Sequence, residues 1–324
     1  MSALNLHSCL ATQIQSFINL RRLSGTDYLS QAQLLGYFDR FLVEQELSEP
    51  RITHQITDEY QQSLPQLAPR SQYNRFCVVR QLCAYLAKTD PLGYVPEPLR
   101  MIPSHAAHQP YIYSHGEVRA LLAAASGLPP PGSLRPPTYR TLLGLLYSTG
   151  IRIGEALALN LEDFPRTEQR LYIAAGKFRK ARWIPLDLST CRAVEQYLHR
   201  RSRIDPRSPD SPLFVNLRGR RLHHCTVHQA FHRLLKHCGI AYNTHTGPRI
   251  HDLRHTFAVH RLLAWYREGQ DVNARLPALA TYLGHVNVSS TQIYLRPTAE
   301  LLAEVNHRFH NHYLHNVNPH GGRS

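Results

Sequence analysis

His251 and Arg254, three positions apart in the segment RIHDLR at residues 249–254, give the sequence its clearest chemical signal. On a helix this spacing places two side chains on one face, where both can reach the same group. A guanidinium offers a two-pronged set of donors that fits a phosphate, and an imidazole can add one more hydrogen bond. The segment therefore predicts a helix face that binds phosphate.

Three further segments accompany this pair: TGIRIGEAL at residues 149–157, YLGH at 282–285 and TQIYL at 291–295. Tyr294, nine residues after His285, could attack a phosphodiester and hold the cleaved strand covalently, which conserves the energy of the bond. Arg152 would face the negative charge that develops on the phosphoryl oxygens. A histidine could donate a hydrogen bond or move the tyrosine proton, because imidazole titrates near neutral pH. A plainer alternative for Arg152 is a surface ion pair with Glu155, three positions along the chain.

The sequence predicts neither a metal ion nor another cofactor at this site. A metal-dependent nuclease needs carboxylates that hold divalent ions, and no cluster of acidic residues accompanies the four segments. The six cysteines include no C-x-x-C pair, so we expect reduced thiols rather than a zinc ribbon or a disulfide framework. The histidines between His223 and His232 lack a second pair at zinc spacing, and we expect them to be solvated.

Taken in order, the arginine, the His-x-x-Arg, the Leu-Gly-His and the tyrosine resemble the catalytic pattern of the tyrosine recombinases, the phage integrase family. The resemblance covers residues from about 111 to 310. It implies a site-specific enzyme that cleaves and rejoins DNA through a 3′-phosphotyrosine intermediate. It also implies a set of six catalytic residues: Arg152, Lys177, His251, Arg254, His285 and Tyr294.

Lys177 lies 25 residues after Arg152, where the catalytic lysine of the family falls. A lysine on a loop can protonate the leaving 5′-oxygen as a general acid. Lys180, in the same loop, is the alternative. Only four lysines occur in the chain, two of them here.

The charge distribution predicts double-stranded DNA as the partner. Nine of the 37 lysines and arginines and nine of the 23 acidic residues lie in residues 1–110, which leaves 28 basic against 14 acidic side chains in residues 111–324. A surplus of this kind attracts polyanions and speeds their encounter. We expect DNA contacts from five residues: Arg70, Arg75, Arg80, Lys180 and Arg182. For the first three, which lie along the last helix of the N-terminal part, a solvated helix face is the alternative.

The fold is predicted to be mainly α with a small β-sheet (α+β), in two domains. Residues 1–109 form short helices and resemble the helical core-binding (SAM-like) domain of the family, with a proline-rich linker at about 90–110. Residues 110–324 form the catalytic domain.

Four local predictions place the catalytic segments. Short strands at Arg170–Ala174 and Ala181–Leu186 flank a hairpin loop. A helix is expected over Thr138–Tyr147, after a proline-rich loop that includes Pro136–Pro137. The next helix, Ile151–Leu159, carries Arg152 and Glu155.

The resemblance further implies a homotetramer on two DNA sites, and the stretch from Phe257 to His285 looks most like integrases carried by transposons and other mobile elements. No apolar run is long enough for a membrane span and no secretory signal is evident, so a cytoplasmic, nucleoid-associated protein is expected.

Two alternatives remain open. A type IB topoisomerase or hairpin telomere resolvase would act without two sites, and a DNA-binding relative of the integrases would not cleave.

Overall fold

The computed structural model describes residues 4–25, 27–99, 110–174, 181–202, 208–240 and 247–284. The chain forms two compact units, Met1–Ala107 and His108–Ser324. The domain boundary predicted at 109/110 stays a prediction, because residues 100–109 lie outside the described ranges.

The first unit is helical throughout its described part, apart from the connections between helices. Its helices are α1 (Ala11–Leu23), α2 (Leu29–Glu44), α3 (His54–Gln62) and α4 (Pro69–Leu86). Their apolar faces meet in a core in which Phe38 and Tyr60 make an edge-to-face contact with ring centroids 4.8 Å apart. Asp39 is fully buried at this core and accepts hydrogen bonds from the backbone of His7 and Ser8, which fixes the chain before α1.

Three arginines of α4 that were predicted to contact DNA make contacts within this unit. The Arg75 guanidinium lies 4.2 Å from the centroid of the Tyr37 ring, and Arg70 lies over the Tyr73 ring at 5.7 Å. Arg80 donates from Nε to the Pro96 carbonyl at 2.8 Å. These contacts orient the side chains, and a role in DNA binding stays a prediction for all three.

The second unit is mainly helical with one small sheet, which confirms the predicted fold class. Its elements are α5 (His115–Ser126), α6 (Arg135–Thr149), α7 (Ile153–Ala158), β1 (Arg170–Ile173), β2 (Arg182–Pro185), α8 (Leu188–Ser202), α9 (His224–His237), α10 (Asp252–Arg267) and α11 (Val272–Leu283). Helix α6 is the central one. Its leucines are buried against α5, α8 and α10, so its C-terminal end is held firmly beside α10.

Two predicted boundaries around α6 and α7 were wrong. Helix α6 begins at Arg135 and includes Pro136 and Pro137, because the first turn of a helix needs no partner for its N–H groups and tolerates proline there. Helix α7 begins at Ile153, and Arg152 is its N-cap with extended backbone angles. The Glu155 carboxylate accepts the Arg152 backbone N–H at 3.0 Å, which stabilises this start.

Strands β1 and β2 pair antiparallel, as the sequence predicts, with Leu171 opposite Ile184 and Tyr172 opposite Trp183. Leu171 and Ile184 are buried, whereas Trp183 is half exposed. Since side chains alternate between the two faces of a strand, the hairpin has one face toward the core and one toward solvent. The connecting residues 175–180, which include both candidate lysines, lie outside the described ranges.

Gly150→Ala should destabilise this unit more than a matched glycine substitution elsewhere. Gly150 ends α6 with φ +62°, and an added Cβ would lie 2.5 Å from Cδ1 of Phe257. Gly239 has a similar φ of +66° but open space around it. Both alanines should cost about 1–2 kcal/mol of backbone strain, and Gly150→Ala a further 1–3 kcal/mol or so from overpacking.

Urea unfolding of the two variants measures the difference in the free energy of unfolding. Equal losses would mean that the contact between the end of α6 and Phe257 relaxes without cost.

Candidate active site

The C-terminal end of α11 holds three arginines on three consecutive carbonyl oxygens. The Tyr282 carbonyl accepts from Arg182 at 3.0 Å, the Leu283 carbonyl from Arg254 at 2.7 Å and the Gly284 carbonyl from Arg152 at 3.0 Å. The last carbonyls of a helix have no partner within the helix, and the helix dipole makes this end favourable for cations. Three parts of the unit, the start of α7, strand β2 and helix α10, therefore converge on one helix end.

Arg254 is the most deeply buried of the three, with a relative exposure of 2%. In addition to its bond to Leu283, it donates from Nη1 to the Gly150 carbonyl at 2.7 Å. A buried charge is tolerated only when such partners replace its water. Arg254 thus joins the end of α6 to the end of α11, and its own position is fixed on both sides.

Arg152 reaches solvent, with 24% of its side chain exposed. Its Nη1 donates to Glu155 Oε1 at 2.9 Å and its Nη2 to the Gly284 carbonyl. The ion pair that the sequence offered as a plain alternative is therefore present, but it is part of a larger cluster. A guanidinium has five N–H donors, so these two bonds orient Arg152 without using its full capacity to bind an anion.

Glu155 links two of the arginines. Its side chain is only 4% exposed, and it accepts from Arg182 Nη1 and Nη2 at 3.1 and 2.9 Å as well as from Arg152. Burial raises the pKa of this carboxyl, but hydrogen bonds from Arg182 and the Arg152 backbone, with the charges of both arginines, outweigh burial and leave the pKa below its usual value. Glu155 is therefore ionised at neutral pH, and its negative charge is shared between Arg152 and Arg182.

His251 precedes α10 with helical backbone angles, one turn before Arg254. Its ring can be reached by solvent, although much of the unit surrounds it. This enclosure, together with the positive charges of Arg254 and Arg152, lowers the pKa of His251 to about 4. At neutral pH the imidazole is thus uncharged and can both donate and accept a hydrogen bond.

Tyr113 and Asp252 make a second set of hydrogen bonds around the start of α10. Tyr113 is fully buried, donates from its hydroxyl to the Arg249 carbonyl at 3.1 Å, and donates from its backbone N–H to Thr256 Oγ1 at 3.0 Å. Asp252 accepts the Arg249 backbone N–H at 2.8 Å. His251 lies inside this braced turn, so its backbone has little freedom to move.

The structure brings together three of the six predicted catalytic residues: Arg152, His251 and Arg254. The other three, Lys177, His285 and Tyr294, lie outside the described residues, as does Lys180. Arg182, predicted to contact DNA, has its guanidinium on Glu155 and on the Tyr282 carbonyl. Sequence reasoning assigned it no part in the cluster, because 27 positions separate it from Glu155 and no local pattern joins them.

Within the described ranges, no group of three or more histidine, cysteine, aspartate or glutamate side chains is arranged to hold a metal ion. The cluster is instead rich in cationic donors. None of the described helices combines the length and the apolar character that crossing a membrane requires.

Fixed guanidinium groups beside a neutral imidazole, on a helical unit with one hairpin, define a protein that can bind a phosphate group. The phage integrase family matches residues 113–300, a range that begins at the buried Tyr113 and contains the whole cluster. The chain belongs to the phage integrase family.

Two relatives extend the match beyond this range. The y4rB protein of Sinorhizobium fredii, whose name describes an integrase/recombinase, is 36% identical over 91% of this chain and 95% of its own length. The tyrosine recombinase XerC of Haemophilus influenzae (strain PittEE) is 31% identical over 75% of this chain and 76% of its own. This chain is accordingly a tyrosine-type site-specific recombinase, a class that cleaves and rejoins DNA.

Solved structures share the fold. The XerH recombinase bound to its difH substrate matches with a TM-score of 0.63 at 20% identity, over 89% of this chain and 82% of that chain. The Tn1549 transposon integrase bound to transposon right end DNA matches with a TM-score of 0.65 at 15% identity, over 92% and 99%. At these identities the similarity supports the fold alone.

His251 should titrate well below an ordinary histidine. The unperturbed pKa is about 6.5, and enclosure plus two neighbouring guanidinium groups lower it to about 4. Replacing Arg152 by glutamine removes one positive charge, so the pKa of His251 should rise toward the ordinary value. NMR titration of the carbon-bound imidazole protons measures the pKa of His251 in the unaltered protein and in Arg152→Gln. A His251 signal that titrates near 6.5 in the unaltered protein would contradict the proximity of the two arginines.

Proposed function

We propose that this chain is the integrase of a mobile element, and that it cuts and rejoins duplex DNA through a covalent bond between Tyr294 and a 3′-phosphate. The observation that carries this proposal is the convergence of Arg152 and Arg254 on the adjacent carbonyls of Gly284 and Leu283. Two permanent cations held side by side, with His251 next to them, suit the scissile phosphate.

The proposed roles follow from the charge that develops during the reaction. When the tyrosine oxygen attacks phosphorus, negative charge grows on the non-bridging oxygens, and donors already in position stabilise it without reorganising. Arg152 and Arg254 are such donors. His251, uncharged at neutral pH, donates one further hydrogen bond, and His285, the residue after Gly284 in the chain, would donate another or shuttle the tyrosine proton. These roles require no metal.

Two observations support the assignment to a mobile element. The chain shares its fold with the Tn1549 transposon integrase, and y4rB and y4rE of Sinorhizobium fredii, which are named integrase/recombinase, each match 91% of this chain. Strand exchange between two duplexes needs four cleavages, so a homotetramer on two DNA sites is the proposed active form. The reaction would take place on DNA in the cytoplasm. A requirement for two sites separates this function from that of a topoisomerase or a telomere resolvase.

Tyr294→Phe should keep DNA affinity and lose covalent attachment, because only the nucleophilic oxygen is removed. The assay incubates the protein with a fragmented genomic duplex library and measures SDS-resistant protein–DNA adducts, whose attached ends are then sequenced. Filter binding on the same library measures affinity.

Tyr282→Phe is the matched control, since it removes a hydroxyl from a partly buried tyrosine of the same unit and should leave adduct formation intact. Adducts that persist in Tyr294→Phe would place the nucleophile elsewhere.

Lys177→Ala should be defective on an ordinary phosphodiester and recover when the bridging 5′-oxygen is replaced by sulfur. A thiolate leaves without a proton, so the modified substrate no longer needs a general acid. The comparison uses the site recovered by sequencing, made with and without sulfur, and measures the rate of adduct formation on each.

The same pair of substrates tests Lys180→Ala. Rescue of that variant alone would move the general acid to Lys180. Equal loss on both substrates for both variants would leave the two lysines as phosphate contacts and place the acid outside residues 175–180.

A further inference from the structure

Arg182 was predicted from the sequence to contact DNA, but its side chain points into the unit. It is the first residue of β2 and shares the inward face of that strand with the fully buried Ile184, whereas Trp183 between them points outward and is half exposed. Only 12% of the Arg182 side chain is exposed. The strand therefore directs this guanidinium into the unit, toward Glu155.

We propose that Arg182 is a positioning residue for the recombination reaction, which sets the place of Arg152 through Glu155 and through the end of α11. It binds both oxygens of Glu155 in a two-pronged ion pair, and the same carboxylate holds Arg152. This inference rests on the proposed function, because it takes Arg152 as a group that contacts the scissile phosphate.

Burial makes Glu155 dependent on the neighbouring arginines for the balance of its charge. A glutamate with 4% exposure cannot be solvated by water, so its charge must be balanced by the protein. The two-pronged pair with Arg182 fixes the plane of the carboxylate, and that plane determines where Arg152 Nη1 can bind. A lysine at position 182 would supply the charge but not the fork.

The third bond of Arg182 connects the hairpin to the arginine cluster. Its Nε donates to the Tyr282 carbonyl, and its guanidinium packs against Gly284 so closely that a Cβ there would lie 2.9 Å from Arg182 Cζ. Gly284 is the residue whose carbonyl holds Arg152. Arg182 thus supports Arg152 at both of its anchors. It also lies five positions after Lys177 in the sequence, at the strand that follows the loop with the proposed general acid.

Arg182→Gln should reduce the rate of adduct formation by about 10²-fold, the effect that a small displacement of a catalytic group has. DNA affinity and its salt dependence should stay unchanged. Arg182→Lys should regain part of the rate, because it restores the charge beside Glu155 without the fork.

The control is Arg170→Gln on the neighbouring strand. Arg170 has the same charge, lies on the outward face over the Trp183 ring at 4.1 Å, and pairs with the exposed Glu168. Arg170→Gln should leave the rate unchanged. Two results for Arg182→Gln would overturn the proposal. One is a loss of DNA affinity in proportion to the loss of rate, with the salt slope of DNA binding reduced by about one, which would make Arg182 a phosphate contact. The other is an unchanged rate of adduct formation.

A second measurement does not depend on activity. Because the folded-state pKa of Glu155 lies below its unfolded value, its ionisation stabilises the fold above about pH 4.3, and this stability is lost as pH falls through the folded pKa. Without Arg182, only Arg152 is left to offset the burial of the charged carboxylate. The melting temperature of Arg182→Gln should therefore fall furthest below that of the unaltered protein near pH 7, and the gap should narrow on acidification.

In a Glu155→Gln background the pH dependence of that gap should disappear. If the gap is the same at every pH, Arg182 does not act through Glu155 and the proposal fails. If the unaltered protein forms no adduct with DNA, the proposed function fails, and the pH dependence of the melting temperature alone then decides whether Arg182 holds Glu155.

Discussion

The three carbonyl groups at the C-terminal end of α11 are the constraint on which the arginine cluster of the second unit depends. Each accepts from a different arginine, and these arginines come from the start of α7, from β2 and from α10. Hydrogen bonds to charged groups each contribute about 1.5–3 kcal/mol. The three guanidinium groups would otherwise repel one another. The carbonyl groups at this helix end offset that repulsion and fix the position of each guanidinium. The glycine that ends the helix, Gly284, allows the left-handed turn with φ +69°.

Glu155 gives the described part of the arginine cluster a negative counter-charge. Three guanidinium groups without a counter-charge would destabilise the fold, and full neutralisation would abolish the attraction for phosphate. The Glu155 side chain, which is only 4% exposed, neutralises part of the positive charge from the interior of the unit, whereas the partly exposed Arg152 reaches solvent. The net positive charge therefore lies on the side that an anion can approach, with the neutral His251 beside it.

The sequence predicted which side chains lie together better than it predicted what holds them in place. The spacing of His251 and Arg254 predicted one helix face, and alternation along 170–186 predicted the hairpin. The contacts of Arg182 and of the carbonyls of Tyr282, Leu283 and Gly284 could not be predicted, since they involve backbone atoms and partners distant in sequence that no periodicity reveals. The start of α6 was missed because proline usually ends a helix, although its first turn tolerates proline.

A crystal structure of the full chain grown with tungstate, a tetrahedral oxyanion whose metal scatters anomalously, tests the central claim most directly. If the end of α11 assembles a phosphate site, an anomalous peak is expected within hydrogen-bonding reach of Arg152, His251 and Arg254, and it should be lost in Arg152→Ala crystals grown in the same way. Tungstate bound only elsewhere on the surface, with the arginine cluster unoccupied, would contradict the claim that the end of α11 assembles a phosphate site.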